Sequence, residues 1–441
     1  MHESNIRIIE KLKSFLKKAS TNKLRYCTKP TDFTRNRKLT FERVVGMLIN
    51  IPRKGLSLEL NELFDRLNLG ACYCTKSAFS QARYKLKHCF FKDWNQHLAL
   101  QFYKEESRVK RWKDFILLGV DGSTAHLFED VDGNIAGHFG KYRGAVTARV
   151  MCSFDVLNQI SYQSSIDPIT MSENEVARNW LTQIETDQAI LKKVLPIYDM
   201  KFPGFAFAYE HMIKGIDFLI RIPLGFNCLV YDFMKSDKKD SVLKWYPPRN
   251  AVRELKARGY EISKSDFIKV RLLKIPLDDG SIEVLLTTLL DKRKYPYKEF
   301  GPLYFKRWGS ETNFDYWKNK AQIEIISGHS VEAIYQDFYA TVFTANLHSI
   351  LMEECEEELI LKTQDRKYDY ALNRNVGLGL LKGKIIKLFF DDNPKPILEE
   401  LHRLFLFHLE PVRPDRQFER KRRQRHLGGK YATMTNYRRA I

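Results

Sequence analysis

The sequence predicts a mixed α/β protein in which a helical N-terminal region leads into a sheet, and a β-rich insertion interrupts the sheet region. Three observations predict this fold class. Apolar residues in the first hundred positions follow helical spacing. Residues 115–222 read as three strands, a helix, a strand, a helix and a strand, which is typical of an α/β layer with an antiparallel meander at one edge. Residues 221–300 are again strand-like, and helical patterns resume after Pro302.

These changes in pattern divide the 441 residues into four regions. Residues 1–110 are helical, residues 111–220 and 301–360 form the α/β core, and residues 221–300 are the β-rich insertion. Residues 361–441 are a helical C-terminal region that ends in a basic tail. With 44% hydrophobic residues, a chain of this length can bury a sizeable core, which excludes disorder as its main state.

The net charge of +19 predicts a polyanionic partner, because exposed charge of one sign repels itself. Nucleic acid is the first candidate and an anionic membrane surface is the second. The membrane is disfavoured, since the sequence has no run of about 18 apolar residues. The first twenty residues have an amphipathic pattern rather than that of a signal peptide, and seven scattered cysteines are typical of reduced thiols. A cytoplasmic location is therefore expected.

The positive charge lies at the two ends of the chain. Residues 1–110 carry 23 Lys and Arg against 10 acids, and residues 411–441 carry 10 against 2, whereas the stretch between them is near −2. This distribution predicts two DNA-gripping flanks around a nearly neutral body. The tail holds four adjacent candidates for phosphate contact, with a solvated basic end as the alternative: Arg420, Lys421, Arg422 and Arg423.

Three helices are predicted in the N-terminal region from 39 onwards, over residues 39–51, 56–67 and 77–90. Thr40 and Ser77 are candidate N-caps of the first and the third. The third helix carries basic side chains beside apolar ones and follows a turn, which is the outline of a helix-turn-helix with a recognition helix. A helical bundle with a basic surface is the alternative. The candidate DNA contacts on the third helix are Arg83, Lys85 and Lys87.

Strands are predicted in the core region at residues 115–121, 133–140 and 147–157, followed by a helix over 172–191 and a strand that ends at Asp199. Three strand-like segments are predicted in the insertion, and a long helix capped by Ser330 follows them. These segments cover residues 226–234, 267–275, 281–291 and, for the helix, 331–359.

Three acids are candidate metal ligands. Asp121 and Asp199 are predicted at the ends of strands, and Glu311 at the start of a helix. Carboxylates at one edge of a sheet, joined by one from a neighbouring helix, can hold two divalent ions, and hard oxygen ligands suit Mg²⁺ or Mn²⁺. Taken alone, the Asp-Gly step at Asp121 has an ordinary turn as its alternative.

The segment around Glu311 is more specific. Tyr304, Arg307, Glu311 and Lys318 are separated by 3, 4 and 7 residues, and on a helix these intervals return to one face. Such a stripe of mixed charge is usually a solvated face, but heavy aromatic residues flank this one, which favours a site. An alternative start of the helix, with Ser310 as N-cap, would leave the tyrosine and the arginine on a loop.

Four motifs of the sequence resemble a large family of bacterial insertion-sequence transposases of the DD-E type. They are Y-x2-R-x3-E-x6-K from Tyr304 to Lys318, VDGST at Asp121, YDMKFPGF at Asp199, and IEIISGHSVEAIYQDFYATVFTANL. They occur in the family's order, and the resemblance covers roughly residues 115–350.

The resemblance implies a ribonuclease-H-like core whose insertion separates the second Asp from the Glu. It implies cut-and-paste transposition, in which the enzyme binds terminal inverted repeats, nicks the DNA, forms and reopens a hairpin, and joins the 3′ ends to target DNA. A homodimer in a synaptic complex is expected, in the bacterial cytoplasm and on the nucleoid when bound to DNA. The metal ligands for two Mg²⁺ or Mn²⁺ ions would be Asp121, Asp199 and Glu311. The contacts to phosphates near the cleaved end would be Tyr304, Arg307 and Lys318.

Members of the family are thought to stack a flipped base on an aromatic residue, and Trp245 is a candidate for this contact, with an ordinary core tryptophan as the alternative. Two other function classes stay open. One is a transposase relic or inhibitor that binds DNA ends without cutting them, which the intact set of acids disfavours. The other is a ribonuclease-H-like nuclease that acts on branched DNA, which the basic N-terminal helices disfavour.

Overall fold

Helices in the first hundred residues form where apolar side chains recur at helical spacing, as the sequence predicts. The computed structural model describes residues 3–35, 37–51, 54–70 and 73–413, so the predicted tail contacts at 420–423 lie outside the described residues. The helices of the N-terminal region are α1 (Glu3–Thr21), α2 (Phe41–Ile49), α3 (Leu56–Arg66), α4 (Lys76–Arg83) and α5 (Cys89–Lys104).

The prediction of one helix over residues 77–90 is wrong. The segment forms α4, a turn and the start of α5, and the N-cap of α4 is Thr75 rather than Ser77. The turn at 84–88 is held by backbone hydrogen bonds to residues 26–28, so pairing with a distant segment ends the helix. The two lysines of the predicted recognition helix lie on this turn: Lys85 and Lys87.

A nine-stranded sheet forms the centre of the molecule. Its strand order is β2-β3-β1-β5-β6-β9-β8-β7, and β4 also pairs with β3. Strands β1, β5 and β6 are parallel to one another, and the other pairs are antiparallel. The β-rich insertion therefore continues the sheet of the core. The strands are β1 (Phe115–His126), β2 (Lys141–Tyr142), β3 (Ala145–Asp155), β4 (Ile160–Pro168), β5 (Lys193–Tyr198), β6 (Leu219–Ile222), β7 (Asp240–Trp245), β8 (Ile268–Pro276) and β9 (Ile282–Thr287).

Two predicted strands are helices. Residues 133–140 form α6 (Asn134–Phe139), because the Asp130 carboxylate accepts hydrogen bonds from the first two backbone N–H groups of the helix, both at 2.9 Å. Residues 226–234 form most of α9 (Cys228–Lys235), whose N-cap Asn227 accepts from a backbone N–H at 3.0 Å. In both segments a capping side chain decides between helix and strand for a short apolar run.

The remaining helices of the sheet region lie on both of its faces. Helix α7 follows the predicted bounds, and the predicted helix over 331–359 is divided, since its first part ends at Glu353. These helices are α7 (Glu173–Leu191), α8 (Phe205–Ile213), α10 (Arg249–Ala257), α11 (Phe300–Phe305), α12 (Trp308–Asp315), α13 (Val331–Glu353) and α14 (Glu356–Thr363).

Helix α13 is buried along nearly its whole length and joins the two ends of the chain to the sheet. It packs against α2 and α5 of the N-terminal region, against β4, and against α15 (Arg374–Phe390) and α16 (Lys395–Phe407) of the C-terminal region. These elements and one face of the sheet share one hydrophobic core, and a second core on the other face includes the start of α7, helix α8 and part of the insertion. In the part of the chain that is described, no helix is both long and apolar enough to cross a membrane.

Candidate active site

The two candidate aspartates lie side by side on neighbouring parallel strands. Val120 of β1 pairs with Tyr198 of β5, so Asp121 and Asp199 occupy the next position on each strand. Asp199 follows the last residue of β5, as the sequence predicts. The prediction that β1 ends at Asp121 is wrong, because pairing with β3 extends this strand to His126, beyond its apolar run.

A close contact at Gly119 brings helix α12 against β1. The Ser310 hydroxyl is buried and donates a hydrogen bond to the Gly119 carbonyl oxygen at 2.9 Å. A Cβ atom at Gly119 would lie 2.2 Å from the Ser310 Oγ atom, so only glycine fits this approach. The next residue of the helix is Glu311, which is thereby held beside the strand that carries Asp121.

The arginine of the predicted stripe lies between two of the acids. The buried Arg307 guanidinium has its Nη1 atom 3.5 Å from Asp121 Oδ2 and its Nη2 atom 3.2 Å from Glu311 Oε1. Its Cζ atom is 5.8 Å from the centre of the Tyr304 ring. The Lys318 ammonium donates to the Ser123 hydroxyl at 2.8 Å. Arg307 and Lys318 therefore contact the β1 segment that carries Asp121, and Tyr304 and Glu311 lie beside Arg307.

The helix that carries this stripe is not continuous. Tyr304 belongs to α11, Arg307 is the N-cap of α12, and Lys318 lies in a π-helical turn over Tyr316–Lys320. The alternative start at Ser310 is also wrong, because that residue lies inside α12 and its hydroxyl bonds to β1. Gly309, which weakens a helix, lies in the first turn of α12.

Burial and like charge shape the electrostatics of the site. Burial raises the pKa of Asp121, and the neighbouring carboxylates Glu311 and Asp199 add to that effect. The backbone N–H of Gly122 and the Arg307 guanidinium oppose it. Burial also raises the pKa of Tyr304 to about 12, so this phenol is protonated at neutral pH. The site thus concentrates negative charge that a cation would offset.

The chemistry of this donor set fits a hard divalent cation, since the three candidates offer carboxylate oxygens. Burial is the main cause of the raised pKa of Asp121, and a bound cation would favour the ionised form of this carboxyl. Among the residues that the structure describes, no three Asp, Glu, His or Cys side chains are grouped closely enough to hold a metal ion. In this arrangement Arg307 is the cation between Asp121 and Glu311.

The structure does not place Trp245 where a DNA base could reach it. This side chain is 6% exposed and packs against Phe205 and Phe226, with ring centres 5.2 and 5.9 Å away. The alternative of a core tryptophan is therefore what the structure contains. The next residue, Tyr246, is 50% exposed and lies 5.6 Å from the Phe267 ring.

Arg83 is likewise not on a DNA-facing surface. It is 5% exposed, and its guanidinium bonds to α13 and to the loop before it, with Gln336 Oε1 at 2.5 Å and Asp337 Oδ1 at 2.9 Å. Lys85 and Lys87 are half-buried on the turn after α4. The local charge of the sequence therefore identified Lys85 and Lys87 as surface cations, but it misplaced Arg83, which is buried.

Sequence reasoning missed a basic segment that lies beside these lysines. Residues 23–38 contain six Lys and Arg and one acid, and residues 26–28 of this segment form backbone hydrogen bonds with the turn at 84–88. A groove of about 480 Å³ lies between this segment and α4, and its lining includes Arg37, Lys38 and Lys85. A local count of charge would have found it. Ser123 was also missed, although its position two residues after Asp121 puts both on one face of the strand.

The chain is similar to known DNA-mobilising proteins. The profile of the family described as "Transposase DDE domain" matches residues 120–347, a range that contains Asp121, Asp199, Glu311 and Lys318. The transposase InsG of insertion sequence element IS4 from Escherichia coli strain K12 is 22% identical over 344 residues, which are 74% of this chain and 72% of that protein.

A solved structure also aligns with this chain. It is the cryo-EM structure of a piggyBac transposase synaptic complex with hairpin DNA, at 9% identity and a TM-score of 0.42. The alignment covers 94% of this chain and 88% of the other.

Proposed function

The chain belongs to the transposase DDE domain family, and from that premise we propose that Asp121, Asp199 and Glu311 are the catalytic carboxylates of a cut-and-paste DNA transposase. Enzymes of this family cleave DNA and transfer strands with the help of divalent metal ions. The observation that carries the proposal is that Arg307 contacts both Asp121 and Glu311, while Asp199 follows the strand next to the one that carries Asp121.

The core is ribonuclease-H-like in this proposal. Strands β4, β3 and β1 form an antiparallel meander, and β5 and β6 follow in parallel with β1. The first acid lies on β1, the second follows β5, and the third lies on a helix packed over the sheet. The insertion between β6 and α11 separates the second acid from the third.

Asp121, Asp199 and Glu311 would hold the metal ions, for which we propose a pair of Mg²⁺ ions. When bound there, divalent ions supply Lewis-acid activation of a water molecule or a 3′-hydroxyl and offset the charge of the leaving oxygen. The chain's own cations have a different task. Arg307 and Lys318 lie beside the carboxylates and would bind the phosphates of the cleaved end, because a guanidinium or ammonium forms charge-assisted hydrogen bonds with phosphate oxygens. Tyr304, protonated at neutral pH, can donate a hydrogen bond to the same backbone.

The DNA in this proposal is the terminal inverted repeat of a mobile element, followed by target DNA. Residues 23–38 and the lysines of the 84–88 turn provide the positive surface for the flanking duplex. A hairpin at the cleaved end and a homodimer in the synaptic complex are part of the proposal. We place the enzyme in the bacterial cytoplasm, on the nucleoid when it is bound to DNA.

The test is cleavage by Asp121→Ala, Asp199→Ala and Glu311→Ala on a labelled duplex that carries the DNA end flanking the gene. Each variant is expected to lose strand cleavage in Mg²⁺ while retaining end binding, because the acids act in chemistry rather than in the grip on DNA. Asp279→Ala, in the exposed turn between β8 and β9, is the matched control. Normal cleavage by any of the three variants would remove that residue from the catalytic set.

A further inference from the structure

A cavity of about 320 Å³ lies beside β4, an edge strand of the sheet that pairs only with β3 among the described strands. Its walls come from β4, from α5 of the N-terminal region, from α7 and from one side chain of α13. None of the three proposed catalytic acids lines it. A ligand in this cavity would therefore contact the N-terminal region and the core at a place separate from the proposed active site.

Asp167, near the end of β4, presents a partly buried carboxylate to this cavity. Its Oδ2 atom is buried and has no hydrogen-bond partner in the described structure. Burial raises the pKa of Asp167, and the cations Lys92 and Arg149 are among the groups that oppose this effect. Arg149 is held in an ion pair with Glu173, and Lys92 is an exposed residue of the cavity wall. Buried charges in proteins are generally paired, so Asp167 has capacity for a cationic partner.

A second carboxylate, that of Asp187 on α7, lies behind the cavity wall. It is 8% exposed, and its Oδ2 atom accepts hydrogen bonds from the Tyr162 hydroxyl at 2.7 Å and from the Gln183 amide at 2.9 Å. A third bond to this atom comes from the Gln96 amide. All three donors are neutral and line the cavity. A cation in the cavity would therefore lie close to a buried negative charge that the described residues stabilise with neutral donors.

Gln163 of β4 adds an unused acceptor to the same wall. This residue is 6% exposed, and its Nε2 atom donates a hydrogen bond to the Trp180 carbonyl oxygen at 3.0 Å. Its Oε1 atom is buried and lacks a hydrogen-bond partner in the described structure, which is uncommon and indicates that a donor is missing. Asp167 is four positions further along the strand, so the two side chains lie on one face of β4, about 13 Å apart along the chain.

The arrangement of these groups indicates an elongated ligand with several positive charges. Tyr162, which binds Asp187, and Asp167 are five positions apart on the strand, or about 17 Å, so one small ion cannot meet both carboxylates. A molecule with an ammonium group at each end and an N–H donor between them can meet both. The rings of Trp180 and Tyr339 also line the cavity, and aromatic faces attract ammonium groups.

We propose that this cavity binds a linear aliphatic polyamine along β4, with one ammonium group on Asp167, another beside Asp187 and an N–H group between them for Gln163. Ammonium groups form charge-assisted hydrogen bonds with carboxylates, which are stronger than neutral ones. The site goes beyond the proposed function, because it uses none of the catalytic acids. A bound polyamine would join α5 of the N-terminal region to α7 and β4 of the core, and it would stabilise the folded chain.

The net charge of the protein provides a low background for a test. A chain that carries +19 repels polycations in general, so saturable binding of one polyamine requires a local site. The alternative is that Lys92 turns inward and pairs with Asp167, which would leave no charge for a ligand. In that case the wild type would bind no polyamine, and Lys92→Gln would lower the melting temperature. In our proposal Lys92→Gln removes a repelling cation and binds the polyamine about two- to fivefold more tightly.

The measurement is isothermal titration calorimetry of the full chain with spermidine, in EDTA and without DNA. One spermidine per chain is expected for the wild type. Asp167→Asn keeps the shape of the side chain, removes its charge and should weaken binding about tenfold or more. Asp279→Asn, in the exposed turn between β8 and β9, is the matched control and should leave the affinity unchanged. Butylamine, which carries one ammonium group, should bind about tenfold more weakly than spermidine, because it cannot meet both carboxylates.

No saturable binding of spermidine by the wild type would overturn the inference, and so would equal affinities of Asp167→Asn and the wild type. Butylamine that binds as tightly as spermidine would indicate a site for a single cation and would also overturn it. This comparison of two ligands uses the wild type, so it is decisive even if Asp167→Asn fails to fold. The cleavage test of the proposed catalytic acids is separate, since its result does not depend on the binding of a polyamine to this cavity.

Discussion

The molecule contains two buried arginines that the sequence assigned to DNA, and their surroundings differ. Arg83 on α4 has hydrogen-bond partners for all three nitrogen positions of its guanidinium, at 2.5 to 2.7 Å, and it also pairs with a buried carboxylate. Arg307 beside α12 makes contacts of 3.2 and 3.5 Å, and its Nε atom is one of the buried nitrogens without a hydrogen-bond partner in the described structure.

This difference supports a structural role for Arg83 and the phosphate-binding role that we propose for Arg307. Buried polar groups in folded proteins are generally satisfied, so an incompletely satisfied one needs an explanation. Arg83 is satisfied by α13 and the loop before it, and it fastens the N-terminal region to the core. Arg307 lies between acids at an open edge, where Glu311 is 35% exposed, and it retains capacity for a further anionic partner.

The largest expected effect is on the stability of Arg83→Ala. Removal of one partner from a buried ion pair leaves Asp337 without compensation, so the free energy of unfolding should fall by about 3–5 kcal/mol. Urea denaturation measures it. Lys85→Ala, on the adjacent turn, is the control and should lower DNA affinity with little change in stability. If Arg83→Ala kept its stability and lost salt-dependent DNA binding, the contrast between the two arginines would be wrong.

The structural side of this contrast can be tested through the pH dependence of stability at His211. Like Arg83, this residue is buried and has hydrogen-bond partners for its side-chain nitrogens. Its two ring nitrogens bond to the Tyr198 hydroxyl and the Phe207 carbonyl, both at 2.9 Å. Burial lowers the pKa of His211 to about 4. The resulting stability is present above pH 6.5 and is lost as the pH falls towards 4, because the unfolded histidine binds the proton first. The loss should reach about 3 kcal/mol, from denaturation at several pH values. His211→Gln should flatten this dependence, and an unchanged pH profile would contradict it.

Arg307→Ala should have the smallest effect on stability and a clear effect on chemistry. Its long contacts contribute less to the fold, whereas a lost charge-assisted bond to phosphate corresponds to about tenfold or more in rate. Hairpin yield should fall, with a milder effect on the first nick, as measured on labelled DNA ends. The neighbouring exposed cation in Lys306→Ala is the control. Unchanged hairpin yield would show that Arg307 belongs with Arg83.

Much of the candidate site could be predicted from the sequence, because strand ends, turns and helical spacing are local properties. Asp121, Asp199 and the Tyr304–Lys318 stripe were identified from such patterns, and the structure brings them to one face of the sheet. The end of β1 was misplaced because pairing with β3 outlasts the apolar run that marks the strand.

The features of the fold and the site that the sequence did not predict depend on distant contacts or on single side chains. Charge alone did not show that Arg83 faces Asp337, about 250 residues later, or that Trp245 is covered by aromatic neighbours. Short apolar runs fit either a strand or a helix, and the capping groups Asp130 and Asn227 decided two of them.

The central position of α13 has a consequence for how the chain folds during synthesis. Helices α2 and α5, from the first 110 residues, bury their apolar faces against residues 331–353. A nascent N-terminal region therefore cannot complete its core until the ribosome has made more than three quarters of the protein. The basic surface that we propose for DNA binding therefore becomes ordered only after the proposed catalytic carboxylates have been synthesised. In the proposed function, folding order would thus link recognition of a DNA end to the ability to cut it.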